Sequence, residues 1–237
     1  MRGDSRPDFY ERIADRFEGL DHPHDVRRRL RLVFDECLGP TTLIGKRTLD
    51  AGCGYGLFSE AAAARGAVVI SVDIGERLVA RTLARAGSHG LVSDACQLAV
   101  REQSLDVVVC SEMIEHTRAP ERAVAELARV LRDDGLLVLT TPNRVWQAPV
   151  RAASRLGLRP FRGLENFVAW RALEDFCSAA GLEIVLHLGF HPWPFQLGFA
   201  AAAETVERRL ARGRLARFMV NQAIVARRRR RRAAAAT

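Results

Sequence analysis

The stretch Leu49-Asp50-Ala51-Gly52-Cys53-Gly54-Tyr55-Gly56 decides how this chain is read. It is the end of an apolar strand running into a glycine turn that opens a helix. Glycine at alternate positions lets the backbone bend sharply and lets a ligand lie against the peptide groups, where a Cβ would collide. N–H groups at the start of the following helix suit an anionic group such as a carboxylate. The spacing is G-x-G-x-G, and Leu57 stands where the third glycine of the dinucleotide fingerprint G-x-G-x-x-G would fall.

Outward from the turn, strands and helices alternate. Residues 46–51 form the first strand and residues 57–65 the helix after it, closed by Gly66. Residues 67–73 (AVVISVD) are an unbroken apolar strand, as expected of a parallel sheet covered on both faces. A helix over 76–86 and a short strand over 90–94 follow, then the apolar strand 105–111. Pro120 starts a helix running to Arg132, with Val124, Leu127, Val130 and Leu131 inward. Asp134-Gly135 is a turn before a fifth strand at 136–141. Residues 170–180 read as a helix, 182–188 as a strand and 220–226 as a closing strand. This rhythm predicts an α/β fold: a doubly wound, mostly parallel seven-stranded sheet with helices on both faces and insertions after strands 5 and 6. Ligands on such sheets bind beyond the carboxyl ends of the strands, where Gly52, Asp73, Asp94 and Ser111 all fall.

Residues 8–38 are helical by spacing and make an N-terminal cap over 1–45, ahead of a catalytic domain over 46–226. At 237 residues the chain can bury a sizeable core. The six arginines at 227–232 supply six of the eight net positive charges, leaving +2 for the rest. The body is therefore nearly balanced and carries a basic tail over 227–237. That tail reads as a disordered solvated end, or as a site for nucleic acid or anionic lipid. Five scattered cysteines without a C-x-x-C pair read as reduced, mostly buried thiols. With no membrane-length apolar run and no signal peptide, a cytoplasmic enzyme is expected.

With these residues in view, the chain resembles the class I S-adenosylmethionine-dependent methyltransferases, whose fold is Rossmann-like. LDAGCGYG matches their first motif and Asp73 their acidic residue after the second strand. CSEMIEH (110–116), the Pro120 helix, DDGLLVLTTPNR and NQAIVAR look like the O-methyltransferases of ubiquinone biosynthesis. Asp73 lies 21 residues after Gly52, placed for a ribose diol. The resemblance implies a cofactor site of Asp50 at the amino end, Gly52, Gly54 and Gly56 in the turn, Ile74 beside the adenine, Asp94 and Ala95 at its amine, and a backbone contact at Ser111. One arginine among Arg27 to Arg31 is expected to reach the cofactor carboxylate. Asp94 also reads as a helix cap, and Asp50 as a turn-stabilising acceptor.

Glu112, Glu115 and His116 occupy i, i+3 and i+4, one face if the turn is helical. The resemblance implies a divalent-metal site on these three, although an imidazole suits magnesium poorly. Two other readings stay open: His116 as a metal-free general base, or Glu115 and His116 as braces for the loop. The implied acceptor is a small phenol or polyprenyl-phenol, or else another natural-product or envelope metabolite, and no nucleic acid. Residues 149–158, with Arg151 and Arg155 on one face and Val150, Ala153 and Leu156 on another, form a candidate lid or peripheral membrane contact. His191, Trp193 and Phe195 are candidate pocket residues, and His22 and His24 candidate caps.

Overall fold

A computed structural model describes residues 6–39, 42–157, 163–194 and 199–230. Pro160, Phe195 and residues 231–237 of the basic tail lie outside them. Seven strands form one sheet: β1 (Arg47–Ala51), β2 (Val68–Asp73), β3 (His89–Val92), β4 (Leu105–Ser111), β5 (Leu131–Pro142), β6 (Leu182–Phe190) and β7 (Asn221–Arg228). Their order is β3-β2-β1-β4-β5-β7-β6. All neighbouring pairs are parallel except the two that involve β7, which runs the other way. This is the Rossmann-like doubly wound sheet that the alternating pattern predicts.

The apolar strands are buried from both sides, which is why β4 shows no polar alternation. On one face Leu49, Val108 and Cys110 pack with Val124 and Leu127 of α5 (Pro120–Val130) and Leu173 of α7 (Trp170–Ala179). On the other, Val69, Val107 and Val109 meet Ala62 of α3 (Leu57–Ala63) and Val33 and Phe34 of a π-helical stretch, Leu32–Cys37. That stretch continues α2 (Pro23–Arg31), and with α1 (Arg6–Ile13) these elements form the N-terminal cap. His22 caps α2 by accepting from the His24 N–H at 3.3 Å. Tyr10 and Ala14 from the α1 region pack on Leu78 of α4 (Glu76–Ala86).

Most element ends shift by one or two residues, and the larger differences lie around β5 and β7. The Pro120 helix stops at Val130, and β5 begins at once with Leu131 opposite Leu105. The register then jumps to Val107–Leu136, so residues 132–135 bulge out of the strand instead of forming a separate turn before it. Asp134 takes φ +61° there. At the other end of the chain, β7 carries on through Arg227 and Arg228, two residues assigned above to the tail. Their backbone pairs with Leu136, Glu183 and Leu182, so both belong to the sheet. Arg230 pairs with Asp134 at 2.6 Å. The remaining helices, α6 (Gln147–Arg155) and α8 (Ala200–Leu210), lie in the insertions after β5 and β6. α6 covers the candidate lid, but none of its residues is buried, and Leu156 beyond its end is 74% exposed. No helix among the described residues is long and apolar enough to cross a membrane.

Candidate active site

The parallel strands end together at a cleft enclosing about 570 Å3, solvent at its mouth included. Its lining comes from the glycine turn (Ala51, Gly52), the end of β2 (Asp73, Ile74), the loop after β3 (Asp94, Ala95) and the loop after β4 (Glu112, Met113, His116). Tyr10 and Phe17 of the N-terminal cap close one side. The lining includes Asp73, Asp94 and Glu112 and neither arginine nor lysine. Such a wall has no arginine or lysine to pair with a phosphate.

Each glycine of the turn has its own reason. Gly52 takes φ +78°, and a Cβ there would run into the Met113 side chain. Gly56, at φ +95°, starts α3, and a Cβ would meet the Thr82 backbone at 3.0 Å. Gly54 lies under Phe17 and donates its N–H to Asp73 Oδ2 at 3.0 Å. The N–H groups of Gly52 and Cys53 both go to Val72 O, and that of Gly56 to Cys53 O. Four of the turn's donors are therefore committed within the protein. What Gly52 offers a ligand is close approach.

Asp73 sits at the end of β2, where Gly54 and Gly75 each donate an N–H to its carboxylate. Burial raises its pKa, and those N–H groups oppose the rise. Each carboxylate oxygen has a second lone pair that a diol can use. Asp94 lines the cleft, and its Oδ1 accepts the Cys96 N–H at 2.9 Å; the bond holds a local turn, since no helix starts there.

Asp50 is a correction. It does not line the cleft but lies beneath it, accepting from Ser59 Oγ at 2.6 Å, and a hydroxyl chain continues to Ser71 and Ser88. Burial pushes its carboxyl up to about 7. Ser111 is also turned away from the cleft lining, with its hydroxyl 3.0 Å from Thr140 Oγ1 and 3.4 Å from the Arg29 guanidinium. Two members of the arginine run are buried: Arg28 turns to Glu207, and Arg29 to Ser111 at the end of β4. Arg29 is buried on Asp25 (2.8 Å) and Asp21 (3.4 Å), and these carboxylates hold its pKa above the usual arginine value against burial. His191 is drawn into the same cluster, 2.9 Å from Asp25, so it joins the second insertion to the cap instead of lining the cleft. Trp193 is half-buried and likewise absent from the cleft lining.

The three residues considered for a metal do not share a face. Glu112 adopts φ +52°, and Ile114–His116 is a single 3₁₀ turn, so the 3.6-residue spacing does not apply. Glu112 accepts from Asn221 Nδ2 at 2.8 Å, while Glu115 Oε2 turns the other way to Thr141 Oγ1 at 3.0 Å. Among the described residues no three His, Cys, Asp or Glu side chains converge to hold a metal ion. The donor set, as arranged, does not fit one. Burial lifts Glu115 to about 8, and burial together with the charge of Glu115 lifts Glu112 well above the carboxylate range. Two such groups this close hold protons that ordinary carboxyls would have lost at neutral pH.

His116 stands at the cleft wall. Its Nδ1 lies 2.7 Å from the Leu164 carbonyl and its Nε2 3.8 Å from Glu115 Oε1. A carbonyl only accepts, so Nδ1 carries the proton and the lone pair of the neutral ring is on Nε2.

A methyltransferase-domain family model matches residues 49–139, the span from the glycine turn to the end of the cleft-forming strands. A ubiquinone biosynthesis O-methyltransferase of Azoarcus sp. is 36% identical over 180 residues, covering 70% of this chain and 77% of that protein. The chain belongs to the class I S-adenosylmethionine-dependent methyltransferases. A Nitrosococcus oceani enzyme of the same name is 30% identical, covering 86% of this methyltransferase and 92% of its relative. Magnesium protoporphyrin IX methyltransferase from Synechocystis PCC 6803, solved with bound S-adenosylhomocysteine, superposes with a TM-score of 0.67. It is 20% identical, covering 94% of this chain and 97% of that one, and shows the shared fold. The methyl donor of this enzyme is thus S-adenosylmethionine and its acceptor a small molecule. Sequence reasoning missed Met113 and the cap aromatics Tyr10 and Phe17 as cleft residues. Their spacing signals only a buried helix face.

Proposed function

We propose that this methyltransferase O-methylates a phenolic hydroxyl, with His116 as a metal-free general base. The observation that carries the reading is the hydrogen bond from His116 Nδ1 to Leu164 O, which makes Nε2 the basic nitrogen at the cleft wall. The names of the relatives point to a quinone-pathway acceptor, a phenol with or without a prenyl chain. Exposed Val145, Leu156, Leu215 and Phe218, in segments rich in arginine, favour an acceptor drawn from a lipid surface.

In this reading Asp73 accepts from the ribose hydroxyls of the donor, Gly52 lets its methionine portion lie against the backbone, and Ile74 and Ala95 flank the adenine beside Asp94. Gly54 and Gly56 shape the turn, and Asp50 supports it from beneath. Arg29, buried behind the cleft on Asp25 and Asp21, braces the cap against Ser111. The bound donor supplies an electrophilic methyl on a sulfonium.

His116 Nε2 takes the proton as the acceptor O–H bond breaks. The freed oxygen pair forms the new C–O bond, and the C–S pair leaves with sulfur. The imidazolium then returns its proton to water. Positioning and proton removal are the protein's contribution. Methyl-labelled S-adenosylmethionine incubated with catechol, a prenylated catechol and histamine tests the acceptor class. Label on oxygen of the catechols supports the reading, and label on histamine nitrogen alone overturns it. His116→Ala should lower turnover by about a hundredfold, within the roughly 10²–10⁴ that a positioned base contributes, with donor affinity changed little. Unchanged turnover would remove His116 from the chemistry.

A further inference from the structure

Residues 163–168 return from the insertion after β5 and lie across the turn that carries His116. Three hydrogen bonds join the two segments, one to each of three consecutive residues. The Asn166 backbone N–H donates to Glu115 O at 2.6 Å, His116 Nδ1 donates to Leu164 O at 2.7 Å, and Asn166 Nδ2 donates to Thr117 O at 2.8 Å. Asn166 thus holds the backbone on both sides of His116, while the residue two before it receives the imidazole proton.

The segment is itself fixed to the sheet. Phe167 and Val168 are buried. Val168 bridges to Asn143, and its carbonyl accepts from the Arg144 N–H at 3.1 Å and from Gln222 Nε2 at 2.7 Å. Gln147 Nε2 reaches Glu165 O at 3.1 Å. The strap is therefore anchored where β5 ends and β7 begins, and it presents one carbonyl to the histidine. Within the turn, Glu115 Oε1 lies 3.8 Å from the ring's Nε2, and the bond to Nδ1 comes from the strap. Ile114–His116 is one 3₁₀ turn, and Thr117 after it is extended and bonded back to Ile114.

We propose that Asn166 is a positioning residue that fixes His116 in its Nδ1-protonated tautomer, so that Nε2 faces the acceptor. The proposal rests on His116 being the base. Its loss would let the ring sample the other tautomer, in which the nitrogen at the cleft carries a proton and cannot accept one. Asn166 does not line the cleft and acts through the turn that carries His116.

The decisive measurement is long-range proton–nitrogen NMR on the full-length protein with nitrogen-labelled histidine, His116→Ala assigning the resonance among the six histidines. In the wild type, Nδ1 of His116 should show the protonated shift and Nε2 the unprotonated one. Asn166→Asp keeps the size of the side chain and the backbone bond to Glu115 but removes the amide donor to Thr117. It should give averaged shifts at both ring nitrogens and lower kcat on catechol about tenfold or more, with KM for S-adenosylmethionine within about twofold. Asn166→Ala should do the same, and it covers the case in which the new carboxylate disturbs folding. A single unchanged tautomer in both variants overturns the proposal, whether or not kcat falls. If His116→Ala retains full turnover, the base reading fails, while the tautomer spectrum still decides what Asn166 does to the ring.

Discussion

Asp50 gives the sharpest test of how burial acts in this fold. Its carboxyl is 3% exposed, accepts from Ser59 at 2.6 Å, and is pushed to about 7 from an ordinary 3.8. Burial is the largest cause, and the neighbouring charge of Asp73 adds to it. The folded chain therefore keeps a proton that the unfolded chain releases. Below about pH 4 both states hold it and Asp50 adds no pH dependence. From there to about pH 7 the unfolded state is increasingly ionised while the folded state is not, so stability falls as pH rises; above about pH 7 the loss is complete. A displacement of this size amounts to roughly 4 kcal/mol.

Asp50→Asn removes that titration while leaving an oxygen to accept from Ser59. Urea unfolding of wild type and variant at about pH 4 and about pH 8 gives four free energies. Any packing cost of the amide appears at both pH values and cancels in the double difference. Glu112, Glu115 and Asp73, whose pKa values are also raised, titrate in both proteins and largely cancel as well. The variant should gain roughly 4 kcal/mol on the wild type between the low and the high pH. A double difference near zero would refute the reasoning: Asp50 would then be ionised in the folded protein, with its charge held by a group not yet recognised.

Other outcomes follow from the cleft. Gly52→Ala should weaken S-adenosylmethionine binding at least tenfold by calorimetry, because the new Cβ meets Met113 and the residue is held at φ +78°. Asp73→Asn should also cost about tenfold or more in donor affinity, as expected for losing charge-assisted bonds to a diol, and an unchanged Kd would move the ribose elsewhere. Treatment with a chelator, and add-back of magnesium, manganese or zinc, should leave turnover unchanged. Metal-dependent activity would mean that Glu112, Glu115 and His116 rearrange from the divergent positions they hold in this structure.

The sheet was legible because its signals are local. The apolar runs of β2 and β4 need both faces covered, and the glycine turn after β1 needs a ligand or a close neighbour, whatever the rest of the chain does. Asp73 and Asp94 follow from the strand ends, while Ile74 and Ala95 come only with the family resemblance. The metal face failed because i, i+3, i+4 spacing presupposes an α-helix, and Glu112 in the left-handed region breaks it. Arg29 could not be separated from its neighbours in the run, since which arginine points inward depends on how α2 is rolled against Ser111 and Asp25. The bond between His116 and Leu164 joins residues 48 apart across an insertion with little pattern, so no window of sequence contains it.

The direction of β7 bears on the arginine tail. Asn221 pairs with Pro142 at the cleft end of β5, and Arg227 pairs with Leu136 at the far end. The chain therefore leaves the sheet on the side away from the cleft, and Arg230 there reaches Asp134 in the bulge of β5. An anion held by Arg228 to Arg230 would lie at the end of the sheet away from the cleft. The cleft carries no such run: its lining has Asp73, Asp94 and Glu112 without arginine or lysine, and Arg29 behind it is paired with Asp21 and Asp25. A phosphate backbone would find no arginine or lysine to pair with at that surface. Catalysis and the basic tail are thus separable. Deleting residues 231–237 should change neither donor affinity nor turnover on catechol, and a loss of either would mean that the tail folds back over the sheet to reach the cleft.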